Sequence, residues 1–350
     1  MTRAVPRRGV RVSVCVIARD EAQALGACLA SAAPVADEVI VVDTGSSDDT
    51  PAIALAHGAR VVHAPWQDDF AAARNVALAE ARGTWILSLD ADEVLSIDAA
   101  EGLRSTASEA GAPALRLPIE EIGTTGDIES IHFAVRLFRR APGHRWQRPI
   151  HERVTAAATE YAALPIRHHG YATAASRTRR LERNRILLER AVAEAPSDAE
   201  LRQRLAATLF AQGDAYAAAA HAEAALRRTR STMTGLLAIE TLSRARLAAG
   251  DVSGAANACR TALALRPDWI DVRLVLAEAC QRAGKVDEAL LHYGRFLCDR
   301  EHLLLDVTWP IRLPSLSSLT AEPLARAELA SVHAALHRAD SRHHVIVGTA

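Results

Sequence analysis

Asp90 and Asp92 flank one small residue, Ala91, directly after the apolar run Trp85 to Leu89. Two carboxylates at the end of a buried strand can share a divalent cation, with substrate phosphates and water filling the rest of its oxygen shell. That arrangement suits a diphosphate leaving group held by Mg²⁺ or Mn²⁺. Three more polar clusters come after apolar runs in the same way. Arg19-Asp20-Glu21 follows Val12 to Ile17, and Asp43 through Asp48 follows Val39 to Val42. Trp66 through Phe70 follows Val61 and Val62 and leads into Arg74-Asn75. The fixed charge of Arg74 suits a phosphate or an ion pair with Asp68 or Asp69. A lone Asp-X-Asp is also a common solvated turn or helix cap, so the weight lies in the four clusters together. No GxGxxG follows the first run and no Walker lysine motif occurs, which argues against dinucleotide binding and P-loop chemistry.

Ligands of open α/β sheets bind at the carboxyl ends of the strands. The four clusters therefore require the four apolar runs to be strands ending on one rim. Near-continuous apolar strands at spacings of roughly 20–30 residues imply crossover helices and a parallel sheet. The intervening helices have legible ends. Asp48 or Asp49 can cap one, with Pro51 in its first turn and Gly58 as its stop. Asp68 or Asp69 can cap the next, whose apolar face uses Phe70, Ala73, Ala77, Leu78 and Ala81, with Gly83 ending it. Leu115 to Ile122 and Phe133 to Phe138 are expected to add antiparallel strands. Regular alternation would put Phe133, Val135 and Leu137 on one face and Ala134, Arg136 and Phe138 on the other.

From about Ser176 the pattern is helical and repeats. Gly213, Gly250 and Gly284 are 37 and 34 residues apart. Each is preceded by a small residue (Ala206, Ser243, Ala277) and followed by another (Ala218, Ala255, Ala289). Ala225 and Ala262 come next, and Pro267 closes the second unit. Small residues let paired helices approach, and each glycine serves the turn between them. The pattern resembles tetratricopeptide repeats, whose period is about 34, although the large aromatic positions are mostly missing and the 37-residue step needs an insertion. Pro310 and Pro314 interrupt the stretch after the repeats. Ala321 to Leu336 suits a terminal capping helix, and His344 to Gly348 a short strand or tail. The expected domains are a tail (1–9), an α/β domain (10–173), helical repeats (174–300) and a C-terminal segment (301–350).

With 49% hydrophobic and 24% charged residues, wholesale disorder is excluded. A net charge of −1 supplies no field for a polyanion, so nucleic acid is not an expected partner. The five cysteines are odd in number and never in CxxC spacing, which favours a reducing, cytoplasmic setting over disulfides or zinc. The basic N-terminal stretch meets Arg19 too soon for a signal peptide or a transmembrane segment.

VSVCVIARDE, EVIVVDTGSSDDT, WQDDFAAARN and WILSLDADE occur in this order over roughly residues 10 to 95. Together they resemble family-2 glycosyltransferases of the GT-A fold, a Rossmann-like, mostly parallel sheet. RLFRR (Arg136 to Arg140), IHE (Ile150 to Glu152) and HHGY (His168 to Tyr171) extend the likeness to about residue 172. The subgroup resembled carries tetratricopeptide-like repeats behind the catalytic domain. It includes peptide S-glycosyltransferases and lipopolysaccharide or cell-wall transferases. The resemblance implies inverting hexose transfer from a UDP-sugar with Mn²⁺ or Mg²⁺ at the DXD motif. The acceptor it implies is a peptide or protein, or alternatively a saccharide or lipid-linked acceptor. It matches Asp43 to the aspartate contacting the nucleoside, and Arg19 and Glu21 to the first nucleotide loop. It matches Arg74 to the donor phosphates, Asp92 to direct metal ligation, and Asp90 to the ribose or the metal's surroundings. Asp20 departs from the usual asparagine, which weakens the expectation of uridine. Glu152 is the candidate base for the acceptor proton and Glu93 its rival. His168 and His169 are candidates for a further metal ligand or a diphosphate contact, with His169 assigned as the metal ligand. Arg136 and Arg139 suit phosphate or solvent, and their odd spacing argues against a shared rim. The repeats suit an extended binding surface or a homodimer contact. A repeat-mediated interaction module without catalysis is the reading of another class, opposed by the intact Asp43, Arg74, Asp90 and Asp92. A nucleotidyltransferase would also use metal-bound carboxylates, but with a glycine-rich first loop.

Overall fold

Val12 to Ala18 is a seven-residue run in which only Ile17 is not fully buried, as a strand covered on both faces requires. It is an interior strand of the N-terminal sheet. The computed structural model describes residues 10–123, 126–169, 174–229, 232–305 and 325–330. The chain divides into two compact units, Met1–Ala174 and Ala175–Ala350.

In the first unit the order is β1 (Val12–Ala18), α1 (Leu25–Ala32), β2 (Glu38–Asp43), α2 (Thr50–Ala56), β3 (Arg60–His63), α3 (Phe70–Glu80) and β4 (Trp85–Asp90). Next come β5 (Glu93–Leu95), α4 (Ile97–Glu109), β6 (Ala114–Ile122), β7 (Ile128–Arg139), β8 (Trp146–Gln147), β9 (Arg153–Val154), β10 (Thr159–Tyr161) and β11 (Ile166–His168). One mixed sheet runs β3-β2-β1-β4-β7-β6-β11-β5, with β10 also paired to β6. Strands β3, β2, β1 and β4 are parallel, so the polar clusters after them share one rim. Strand β7 is antiparallel to both β4 and β6, as the sequence leads one to expect. The short β5 and β11 close the far edge and are not separable from loops in the sequence.

Alternate residues of each strand feed two cores. Val14, Val16, Leu87 and Leu89 pack with Leu25, Leu29 and Leu103 on one face. Cys15, Ile40, Val42 and Ile86 pack with Ala71, Ala77 and Trp146 on the other. Strand β7 breaks the expected alternation. Leu115 pairs with Leu137 but Arg116 pairs with Val135, so Arg136 is the extra residue of a β-bulge. Ala134 and Leu137 consequently share the first face, and Val135 and Phe138 the second.

Helix α3 ends at Glu80, before Gly83. Gly83 is needed instead for close approach, since its N–H donates to Ser13 Oγ at 2.7 Å and a Cβ there would lie 2.6 Å from the Ser13 main-chain nitrogen.

The second unit contains α5 (Ala174–Glu194), α6 (Ala199–Ala211), α7 (Ala215–Leu226), α8 (Met233–Ala248), α9 (Val252–Leu265), α10 (Ile270–Arg282) and α11 (Val286–Leu305). Gly213, Gly250 and Gly284 turn α6 into α7, α8 into α9 and α10 into α11, with φ of +91°, +85° and +72°. Their left-handed conformation explains the residue type. The small residues that mark the repeat are fully buried: Ala206, Ser243, Ala277, Ala218, Ala255, Ala289, Ala225 and Ala262 each have 0% exposure. The longer repeat step is absorbed in α8, which has 16 residues where α6 and α10 have 13. Residues 325–330 are helical, within the expected capping helix, and Ala325 joins the core around Trp269. The tail 1–9, Tyr171, Pro310, Pro314 and His344 to Gly348 lie outside the described residues.

Gly83→Ala is expected to lower stability by about 1–3 kcal/mol through overpacking against backbone. Gly102→Ala, inside α4 with Leu164 no closer than 3.4 Å, is expected to be neutral or stabilising by up to about 1 kcal/mol. Urea denaturation of both variants checks the contrast.

Candidate active site

The site is assembled on the carboxyl end of β4. Asp69 caps α3 by accepting from Ala72 N at 2.9 Å, and Asp68 accepts from Trp66 Nε1. Arg74 pairs with neither of them. Its side chain, only 5% exposed, runs beneath the rim, where it donates to Asp90 Oδ1, to Glu152 Oε1 and to Ser88 Oγ. Its guanidinium also lies 5.1 Å from the centre of the Trp146 ring. Arg136, turned inward at the bulge, donates to Asp90 Oδ2 at 2.8 Å and to Glu93 Oε1. Arg139, the last residue of the same strand, lies over the Trp85 ring.

Both oxygens of Asp90 thus face guanidiniums. Burial would raise its pKa, but the charges of Arg136 and Arg74 outweigh that and hold it well below the usual carboxylate range. Glu93 is 1% exposed, and its Oε2 accepts from Asp90 N at 2.8 Å. Burial pushes Glu93 up to about 7 against the pull of Arg136. It is sealed under the site, whereas Glu152 reaches the site from a loop whose preceding residue, His151, has φ +49°.

Asp92 stands on the rim with its side chain 24% exposed. Its Oδ2 is 3.1 Å from His168 Nε2, and His168 Nδ1 is 2.7 Å from Glu121 Oε2. His169, the expected metal ligand, meets Asp92 only through its main chain in the described contacts, donating N–H to the Asp92 carbonyl at 3.0 Å. Neighbouring side chains alternate about a strand, so at the end of β11 His168 is buried towards Asp92 while His169 is exposed. Among the described residues no three His, Cys, Asp or Glu side chains gather into a ready-made metal cage. Burial opposes charge on His168, but its hydrogen bonds to Asp92 and Glu121 prevail and push its pKa up to about 10.

The other expected residues line the ends of β1 and β2. Asp43 Oδ1 accepts from Ser46 N, and its Oδ2 is 3.1 Å from Nδ1 of the exposed His63. Burial raises its pKa, and the hydrogen bonds from Ser46 and His63 more than reverse this. Asp20, at φ +55°, accepts from Ser47 N and Oγ at 2.7 and 2.9 Å and so clips the two loops together. An asparagine oxygen could accept the same bonds, which accounts structurally for the departure at this position. Glu21 N donates to Thr50 Oγ1, and Arg19 is exposed, 3.9 Å from Asp20. Sequence reasoning missed Ser88, Glu121 and His63; their only signal is polarity at strand positions.

Residues 13–171 match the family model for Glycosyl transferase family 2. That match lies within the N-terminal unit and covers under half of the chain. Residues 246–293 match a Tetratricopeptide repeat model. A TPR repeat-containing protein of Synechococcus elongatus is 43% identical over 221 residues, covering 59% of this chain and 54% of that protein. An uncharacterized glycosyltransferase of Rickettsia felis is 40% identical over 86 residues, 25% of this chain and 30% of its own. The chain therefore spans about half or less of these curated relatives. Glucosyl-3-phosphoglycerate synthase from Mycobacterium tuberculosis, solved with Mn²⁺, UDP and glucosyl-3-phosphoglycerate, superposes with a TM-score of 0.29 at 26% identity, over 33% of this chain and 46% of that one.

The raised pKa of His168 predicts a pH dependence. Its contribution to stability is complete below about 6.5 and is lost as pH rises from there towards 10. In the presence of EDTA, the denaturation midpoint should fall between pH 7 and 9.5. His168→Gln should flatten that slope; an unchanged slope would refute the assignment.

Proposed function

We propose that this chain transfers a hexose from a nucleoside-diphosphate sugar, with UDP as the expected nucleotide, to an acceptor hydroxyl or thiol with inversion. The observation that carries this reading is the single rim on which Asp43, Asp90, Asp92 and His168 stand, within a segment matching the family 2 model.

The donor set at the rim fits a divalent cation. Mg²⁺ is bound octahedrally at about 2.0–2.1 Å, which puts neighbouring ligand atoms about 3 Å apart. Asp92 Oδ2 and His168 Nε2 are 3.1 Å apart. Asp92 and His168 would hold Mn²⁺ or Mg²⁺, leaving its remaining positions to diphosphate and water. A cation bound there would offset the charge developing on the departing diphosphate.

The chain's own side chains divide the remaining work. Asp43 and the loop of Arg19 and Glu21 would bind the nucleoside. Arg74, fully engaged by Asp90, Glu152 and Ser88, acts as a positioning residue beneath the phosphates. Glu152, held by Arg74, would take the acceptor proton as the acceptor atom bonds to the anomeric carbon and the bond to the diphosphate oxygen breaks. Burial of Glu93 favours Glu152 for this role.

The repeat unit supports a peptide or protein acceptor, because stacked helix pairs present extended surfaces to peptides. A saccharide or lipid-linked acceptor uses the same chemistry. Five free cysteines, four of them buried, support a reducing, cytoplasmic setting. No helix among the described residues is long and apolar enough to cross a membrane.

Thermal shifts with a panel of nucleotide sugars, with and without Mn²⁺, test the reading. One donor should stabilise wild type only with Mn²⁺, and Asp92→Ala should lose that shift. Absence of any shift across the panel would count against donor binding. Glu152→Gln should lower kcat by about 10²–10⁴-fold while the donor-induced shift persists.

A further inference from the structure

Glu121 belongs to no motif that carries the family resemblance, yet it is register partner to His168 across β6 and β11. On its other side His168 pairs with Glu93 of β5. Cross-strand partners present their side chains on one face of the sheet, so Glu93, His168 and Glu121 form one row across three strands. Within it, Glu121 Oε2 lies 2.7 Å from His168 Nδ1. Its Oε1 is 3.6 Å from Nδ1 of His132 on β7. The Glu121 side chain is only 15% exposed.

We propose that Glu121 is a positioning residue for the cation site: by accepting the Nδ1–H of His168 it fixes the ring so that Nε2 faces Asp92, where a bound cation would take the place of the Nε2 proton. This rests on the reading of Asp92 and His168 as cation ligands. The chemistry comes from the imidazole itself. A neutral ring with its proton on Nδ1 has its ligating lone pair on Nε2, and the group bonded to one nitrogen decides what the other can do. A carboxylate behind a ligating histidine fixes ring orientation and makes the ligand more basic, and its loss typically lowers metal affinity 10–100-fold. The row explains why a three-residue strand, Ile166–His168, suffices to place a ligand. Its last residue is held from behind by Glu121 and faces Asp92 in front. His132 contributes at longer range, from the exposed side of the same carboxylate.

Mn²⁺ binding to the full chain with UDP present, monitored by the electron paramagnetic resonance of free Mn²⁺, tests this without relying on turnover. Wild type should bind Mn²⁺. Glu121→Ala should bind it 10–100-fold more weakly. Glu121→Gln keeps a side-chain oxygen able to accept from Nδ1–H and should recover most of the affinity. A purely structural carboxylate would lower the melting temperature of both variants and leave their Mn²⁺ affinity within twofold of wild type. That result would overturn the positioning role and leave the cation site standing. Wild type that binds no Mn²⁺ would overturn the cation site and this inference with it.

Discussion

Two buried arginines hold the N-terminal unit together at its polar rim. Arg74 and Arg136 meet Asp90 between them, and each takes a further carboxylate, Glu152 or Glu93. Withdrawing such charges from water costs several kcal/mol per ion, and removing one partner of a buried pair typically costs about 3–5 kcal/mol. The network therefore constrains five segments at once: α3, β4, β5, β7 and the loop before β9. Asp90 is the centre of this arrangement. With both its oxygens engaged, it serves as a fixed support, and Asp92, two residues on, is left at the rim.

A second chain of contacts starts at that rim. Asp92, His168, Glu121 and His132 lie on successive polar steps from the end of β4 across the far half of the sheet. The two networks divide the labour. One is buried and dominated by guanidinium, and it fixes geometry. The other reaches solvent through Asp92 and carries the imidazole and carboxylate of the proposed cation site. Asp43 and the loops clipped by Asp20 stand at the ends of β1 and β2, the proposed nucleoside end of the rim. The parallel order of β2, β1 and β4 makes Asp43, the Asp20 loop and Asp92 neighbours, since all follow carboxyl ends of adjacent strands.

Much of this was legible in the residues. The parallel half of the sheet announces itself through apolar runs buried on both faces, and the polar clusters after them mark the rim. The repeats were legible because helix pairs must place small residues at the contact and glycine at the turn. What escaped depends on single-residue irregularities. The bulge at Arg136 shifts the face of every later residue in β7, and no local pattern signals it. Whether His168 or His169 faces Asp92 depends on the phase of a three-residue strand, too short to show a period. Arg74 read as a phosphate contact or as a partner of Asp68 or Asp69, and only the fold brings Asp90 and Glu152 to it. Glu121 lies 47 residues from His168 in sequence, so their juxtaposition belongs to the sheet rather than to any motif.

The central claim is that Asp92 and the groups around it support transfer of a sugar away from a nucleoside diphosphate. Release of nucleoside diphosphate from the donor, with water accepting the sugar when no acceptor is supplied, measures it most directly. The purified chain with Mn²⁺ should release diphosphate from one nucleotide sugar in the panel, and both EDTA and Asp92→Ala should abolish that release. Release that persists undiminished in Asp92→Ala, or none from any nucleotide sugar with Mn²⁺ and a range of peptide and saccharide acceptors, would contradict it.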